Sequence, residues 1–257
     1  MCIRDRKNPL PFITGTICAH NCMSKCTRNF YEEPVHIRAM KLEAAENGYE
    51  AWLADVSPKP LTEKGKAAVI GGGPAGMAAA YFLRRGGMEV TLFEQTGSLG
   101  GVVRHVIPEF RIPGSSIDKD AEILKAAGVD VQYNTKVESV QQLKEQGYGA
   151  VIFAVGAYKS GMLKLEAGET MNALEFLGAF KETEGSLDIG KHVVVIGGGN
   201  TAMDTARAAK LTKGVETVSL VYSCLLYTSL LRWRREGLLT LHSVQDALLS
   251  LYIHPYT

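Results

Sequence analysis

The stretch AAVIGGGPAGMAAA, residues 67–80, passes from a short apolar run through three successive glycines into a segment of small and apolar residues. This change of character predicts a buried strand, a tight turn and a helix that opens at Pro74. Gly71-Gly72-Gly73-Pro74-Ala75-Gly76 fits the pattern G-x-G-x-x-G. Gly71 allows the turn, Gly73 lets backbone amides approach a pyrophosphate, and Gly76 lets the helix pack on the strand. The amides at the helix start, with their partial positive charge, then face a diphosphate. The next apolar run, MEVTLFE, ends at Glu94, where an acid accepts hydrogen bonds from the ribose hydroxyls of an adenosine. A glycine-rich turn that holds no ligand, with Glu94 a solvated strand end, is the plain alternative.

A second copy of the pattern follows. HVVVIGGGNTAMDTA, residues 192–206, contains Gly197-Gly198-Gly199-Asn200-Thr201-Ala202, the G-x-G-x-x-A form, again after an apolar run and before a helix. Alanine in the last place loosens helix-to-strand packing slightly and is a weak indicator of NADP. Residues that separate NAD from NADP belong just past the next strand, VETVSLVY, from Ser223 onward: an acid favours NAD, and a basic pair grips a 2′-phosphate.

Around these turns, strands alternate with helices. Strands are expected at AAVIG, MEVTLFE, VDVQYNT, AVIFAVG, HVVVIG and VETVSLVY, with helices over Pro74–Arg85, about 116–127 and about 200–210. Alternation of this kind predicts an α/β chain with mostly parallel sheets. Residues 35–55 carry apolar positions at helical spacing, and VSPKPLTEKGK reads as a linker into a new domain.

Composition narrows the classes. The 257 residues are 46% hydrophobic with 27 glycines, ordinary for an α/β protein. With 28 basic against 27 acidic residues the net charge is +1, so field strength points to no nucleic acid partner. No run reaches the roughly eighteen apolar residues of a membrane span and the start is no signal peptide, so no membrane partner and a cytoplasmic location are expected.

The ends of the chain read differently. A DNA coding for residues 1–5 and the start of an Arg codon, taken on its opposite strand, encodes Cys-Leu-Leu-Tyr-Thr, the sequence of residues 224–228. That oligonucleotide resembles a transposon-end sequencing adaptor, so residues 1–6 and 223–257 are expected to be adaptor-derived or out-of-context translation and are set aside from fold reasoning. The expected domains are then a helical fragment at 7–60 and the first parts of two dinucleotide-binding domains at 61–160 and 161–222.

Of five cysteines, Cys2 and Cys224 fall in those ends, which leaves Cys18, Cys22 and Cys26 within nine residues. An odd, tight set of this kind suggests metal or redox chemistry rather than a disulfide framework. Reduced, buried cysteines or a zinc site are the alternatives, and His20 reads as a surface or packing residue.

Residues 66–222 resemble the flavin- and NAD(P)H-binding core shared by the glutamate synthase small subunit, dihydropyrimidine dehydrogenase and selenate reductase-like flavoproteins. The resemblance rests on IGGGPAG with Glu94, LGGVVRHVIPEFRIP, YGAVIFAVGA and IGGGNTAMDTAR. It implies two Rossmann-like dinucleotide-binding domains of glutathione reductase type, here incomplete. The first turn would hold FAD, with Gly100, Gly101, Ile107 and Pro108 nearing the flavin, the Val137 backbone at the adenine, and Gly156 where the chain leaves the FAD domain. The second would hold NADPH or NADH; in the family, arginines after the last strand grip the phosphate, and this chain departs after Tyr222.

NPLPFITGTICAHNCMSKCTRNFYEEPVHIR resembles the family's helical iron–sulfur domain. By that likeness Cys18, Cys22 and Cys26 are thiolate ligands of a 4Fe–4S cluster; the set is incomplete, and Lys41 stands where several relatives have an acidic ligand. Neither GGVVRHVIPEF nor residues 197–211 contain cysteine, so thiol–disulfide exchange beside the flavin is not expected. The function implied is transfer of a hydride from NAD(P)H to FAD and of single electrons through iron–sulfur clusters to a larger catalytic subunit or fused domain. No side-chain acid, base or nucleophile is implied, and His105 reads as a loop residue. A nucleotide-binding scaffold without turnover, its cysteines holding zinc or nothing, is the alternative.

Overall fold

The computed structural model describes residues 8–62, 65–158, 170–222 and the backbone of 239–241. The chain forms two compact units. One takes the residues up to His105 together with Glu109–Tyr158, and the other takes Val106–Pro108 with the residues from Lys159 on.

In the first unit, β1 (Lys66–Ile70), α4 (Pro74–Arg85) and β2 (Glu89–Phe93) realise the strand, turn and helix of the first motif. Pro74 opens α4, where its missing N–H costs nothing. Ala67, Ala68 and Val69 are fully buried, as expected of a central parallel strand covered on both faces. The sheet runs β3-β2-β1-β4, all parallel, with β3 at Asp130–Gln132 and β4 at Tyr148–Phe153. Parallel pairing requires crossovers, and α4, α6 (Gly114–Ala126) and α7 (Val140–Glu145) lie on them. The four-residue α5 (Val102–His105) follows the Gly100-Gly101 pair. The expected strand over 129–135 shortens to three residues because Asn134 takes a left-handed φ of 52°.

The amino-terminal segment is helical: α1 (Pro11–Ile17), α2 (Asn21–Ser24), a 3-10 turn (Thr27–Phe30) and α3 (Ile37–Asp55). Phe12 and Ile13 of α1 are buried with Tyr49 and Trp52 of α3. The Phe12 and Tyr49 rings meet edge to face, centroids 5.4 Å apart, and the Lys119 ammonium of α6 lies 5.0 and 5.2 Å from their centroids. Asp120 on α6, fully buried, accepts from the α1 amides of Phe12 (3.3 Å) and Ile13 (2.8 Å). A helix whose own N-cap, Leu10, offers no side-chain bond is thus capped by a neighbour.

In the second unit, β5 (His192–Ile196) pairs in parallel with β6 (Thr217–Tyr222), and β6 pairs antiparallel with β7 (Leu239–Leu241). Helix α8 (Ala173–Glu182) starts at Asn172, whose side chain accepts from Leu174 N–H at 2.8 Å. Together with α9 (Asn200–Leu211) it packs a core of Phe176, Leu177, Val195, Ala206, Val218 and Leu220, joined by Val106. The expectations for 1–6 and, apart from the backbone of 239–241, for 223–257 concern residues outside those described.

Candidate functional site

The first glycine turn is built by exclusion of side chains. Gly71 has φ +104°, open to glycine, and a Cβ there would lie 2.5 Å from the Ala154 carbonyl oxygen. A Cβ on Gly76 would lie 1.8 Å from the Gly71 oxygen, so no larger residue fits where α4 crosses the turn. Gly72 is pinned: its N–H donates to Glu94 Oε2 at 2.7 Å, and its carbonyl accepts from Gly100 N–H at 2.8 Å. Gly73 differs from all of these, since a Cβ there would find nothing nearer than Gly101 Cα at 4.0 Å. The open side of Gly73, at the start of a helix with no side-chain cap, is where a diphosphate could meet unpaired amides and the positive helix end.

Glu94 is buried at 6% exposure. Its Oε1 accepts from the Thr96 amide at 2.8 Å and faces the Thr96 hydroxyl at 2.9 Å. That hydroxyl lies 3.3 Å from His105 Nε2. The carboxylate is therefore held from two sides, with lone pairs left over, because two oxygens offer about four acceptor positions. Thr96 carries no motif signal; only its place two residues after the acid could have singled it out.

Gly100 (φ +121°) and Gly101 (φ +53°) bring the loop after Glu94 against the turn, where a Cβ on Gly101 would meet Gly73 Cα at 3.0 Å. Arg104, paired with Asp118, donates from Nε to the Leu99 carbonyl and braces this loop. Val137 packs against the cluster of Ala68, Phe93, Leu143 and Tyr148, and Gly156 follows β4 with φ +76°. Ile107 and Pro108 belong to the second unit, where the Ile107 carbonyl accepts from Lys181 Nζ at 2.9 Å.

The second turn repeats the first with more room. Gly197 has φ +132°, and its nearest neighbour for an added Cβ is Ala202 Cβ at 3.4 Å. Alanine is accommodated at Ala202 where glycine is compulsory at Gly76. Nothing lies within 4 Å of an added Cβ on Gly199, and α9 too has no side-chain cap at Gly199. Asn200 and Thr201 open α9 and are exposed. Gly198 lies against the Tyr222 ring. Both turns therefore fit a dinucleotide diphosphate.

The three cysteines do not form a comparable site. Cys18 and Cys26 are half-buried and Cys22 exposed, all three free thiols. Among the described residues, no group of three or more His, Cys, Asp or Glu is placed to hold a metal ion. The arrangement thus does not fit a metal cluster. Cys26 is singular in its electrostatics: backbone hydrogen bonds at Val35 and Arg28 lower its pKa, burial opposing them and the Arg28 charge assisting. Among the described residues no helix is long and apolar enough to cross a membrane.

Residues 65–227 match the model of the pyridine nucleotide-disulphide oxidoreductase family. Over 92% of its length the chain is 43% identical to YgfK of Escherichia coli strain K12, a protein named as an oxidoreductase, and covers 23% of it. It is 36% identical to the NADPH-Fe(3+) oxidoreductase subunit beta of Geobacter sulfurreducens strain DL-1 / KN400, over 86% of this chain and 34% of that one. It is 31% identical to the NADPH glutamate synthase small chain of Bacillus subtilis strain 168, over 79% of this chain and 44% of that one. The chain thus spans less than half the length of each of these relatives. With two strand–glycine turn–helix cradles inside the matched region, the chain belongs to the pyridine nucleotide-disulphide oxidoreductase family.

Proposed function

We propose that the complete protein is an electron-input flavoprotein that takes reducing equivalents from NAD(P)H through FAD and delivers them to a partner subunit or fused domain. The observation that carries this reading is the duplication of the cradle, each copy offering an uncapped helix start beside an open glycine, Gly73 and Gly199. When bound, the cofactors supply the chemistry, hydride transfer from nicotinamide to flavin and onward passage of single electrons.

The chain's own part is to bind and orient. The α4 amides around Gly73, Pro74, Ala75 and Gly76 hold the FAD diphosphate, and Gly71 and Gly72 shape the turn. Glu94 takes the adenosine ribose, and the Val137 backbone flanks the adenine. By the family resemblance Gly100, Gly101, Ile107 and Pro108 near the flavin, and Gly156 stands where the chain leaves the FAD-binding domain. Gly197, Gly198, Gly199, Asn200, Thr201 and Ala202 hold NADPH or NADH.

The spacing of Cys18, Cys22 and Cys26 supports cluster ligation in the complete protein. A cluster there needs a further ligand and a rearrangement of this segment, since among the described residues the thiols are not placed to hold a metal ion.

Purification of the complete protein tests the reading. Bound FAD, bleached by NADPH or NADH and reoxidised by ferricyanide, is the expected result. A colourless protein that takes up no FAD overturns it, and stoichiometric zinc in such a preparation favours the scaffold alternative.

A further inference from the structure

Helix α6 serves two parts of the first unit from one turn. Ile117 and Asp120, both fully buried, are three residues apart and so share a face of the helix, about 4.5 Å apart along its axis. Asp120 accepts the amides of Phe12 and Ile13 at the start of α1. Its neighbours strengthen that hold: Lys119 lies over the Phe12 and Tyr49 rings, and Glu122 accepts from the Tyr49 hydroxyl. Ile117 packs instead on the loop after Glu94, where a Cβ on Gly100 would lie 2.9 Å from its Cγ2. Asp118 beside it pairs with Arg104, which also donates to the Leu99 carbonyl. The Gly100 amide in turn donates to the Gly72 carbonyl at 2.8 Å, and a Cβ on Gly101 would meet Gly73 Cα. An unbroken run of packed groups therefore joins the start of α1 to the turn at Gly72 and Gly73.

Resting on the reading of the first cradle as the FAD site, we propose that Asp120 is a positioning residue for flavin binding: by holding α1 on α6 it fixes the turn of α6 that supports the Gly100–Gly101 loop, and so couples docking of the cysteine-bearing segment to retention of FAD. A carboxyl group buried this completely is costly once its amide partners leave, and it is relieved only by moving toward water. A close-packed helix turn passes that movement to Ile117 and Asp118, and from them to Gly100 and Arg104. The coupling is reciprocal, as linkage requires: FAD seated against the loop holds α1 in place. Cys18 follows α1 directly, and its carbonyl accepts from Arg38 of α3 at 3.3 Å, so the first thiol of the segment reports whether α1 is docked.

The test is FAD titration of the full-length apoprotein, followed by flavin fluorescence under conditions where circular dichroism shows each variant folded. Asp120→Ala is expected to raise the FAD dissociation constant about fivefold or more. Phe12→Ala, which loosens the same interface from the α1 side, acts in the same direction. Combined with Arg104→Met, Asp120→Ala weakens binding by less than the product of the two single effects, because both act through one loop. A folded Asp120→Ala protein with a lower melting temperature and an unchanged dissociation constant has lost only a structural contact and overturns the inference, as do single effects that multiply. Should Asp120→Ala not fold, the wild type decides: FAD saturation slows iodoacetamide modification of Cys18 relative to Cys22 by about fivefold or more, and an unchanged ratio overturns the coupling. A full-length protein that binds no FAD fails at the first cradle itself, and the proposed function falls with it.

Discussion

The amide of Gly72 lies 2.7 Å from Oε2 of Glu94, so a residue of the first turn is tied to the end of the neighbouring strand. Both groups are buried, and the carboxylate also receives the Thr96 amide. Glu94→Ala leaves the Gly72 N–H without its acceptor and is expected to cost about 1–3 kcal/mol of stability, read from urea denaturation of the flavin-free protein. Glu94→Gln retains one oxygen and should lose less. Both variants should hold FAD more weakly than the wild type.

Two glycines of the same turn should separate folding from binding. At Gly76 an added Cβ would sit 1.8 Å from the Gly71 oxygen, so Gly76→Ala forces the helix off the strand and should destabilise by about 1–3 kcal/mol or more. At Gly73 the backbone has φ −72° and the space is open. Gly73→Ala should therefore melt at or slightly above the wild-type temperature, gaining up to about 1 kcal/mol through the unfolded chain. Its methyl group should nonetheless fill the diphosphate's place, and flavin titration should show FAD binding weakened by about tenfold or more. A Gly73→Ala protein that retains FAD normally would remove the diphosphate from this position.

What could be read from the chain was what is written locally. Each cradle is spelled by a dozen consecutive residues, and α4 begins and ends at Pro74 and Arg85 as its pattern indicates. The Asp120 cap of α1 could not be read, because it joins residues 107 and 108 positions apart and nothing near either end announces the other. Helix α8 was missed although Asn172 is a good N-cap ahead of an apolar run; the signal was present and outweighed by the stronger motifs on either side. The short β3 reflects Asn134, whose amide turns to the Thr96 carbonyl instead of continuing the ladder. Val106–Pro108 joining the second unit is a tertiary choice that follows no local pattern.

Asp120 should make stability depend on pH in an uncommon direction for a carboxylate. Burial pushes its pKa up from 3.8 to about 7, against the amides of Ile13 and Phe12, which favour the anion. Between those values the folded chain keeps a proton that the unfolded chain has released. Its contribution is therefore fully present below the unfolded pKa, declines as pH rises, and is lost above the folded one. Asp120→Asn carries no titrating proton, so the denaturation midpoint of the wild type relative to this variant should fall as pH rises from about 4 to about 7. The opposite slope would mean that the two amides outweigh burial.

Cys26 should be the most reactive of the three thiols, despite Cys22 being the more exposed. It stands at the N-cap of the 3-10 turn Thr27–Phe30, where backbone hydrogen bonds at Val35 and Arg28 lower its pKa and the Arg28 charge adds to them, with burial opposing. A lowered pKa raises the thiolate fraction at neutral pH, and the thiolate is the species that alkylates. Limited iodoacetamide treatment of the metal-free protein near pH 7, read by peptide mass spectrometry, should modify Cys26 ahead of Cys22 and Cys18. Glutamate at Arg28 should slow it by reversing the nearby charge. Equal modification of Cys22 and Cys26 would mean that exposure, and not the turn's amides, sets thiol reactivity in this segment.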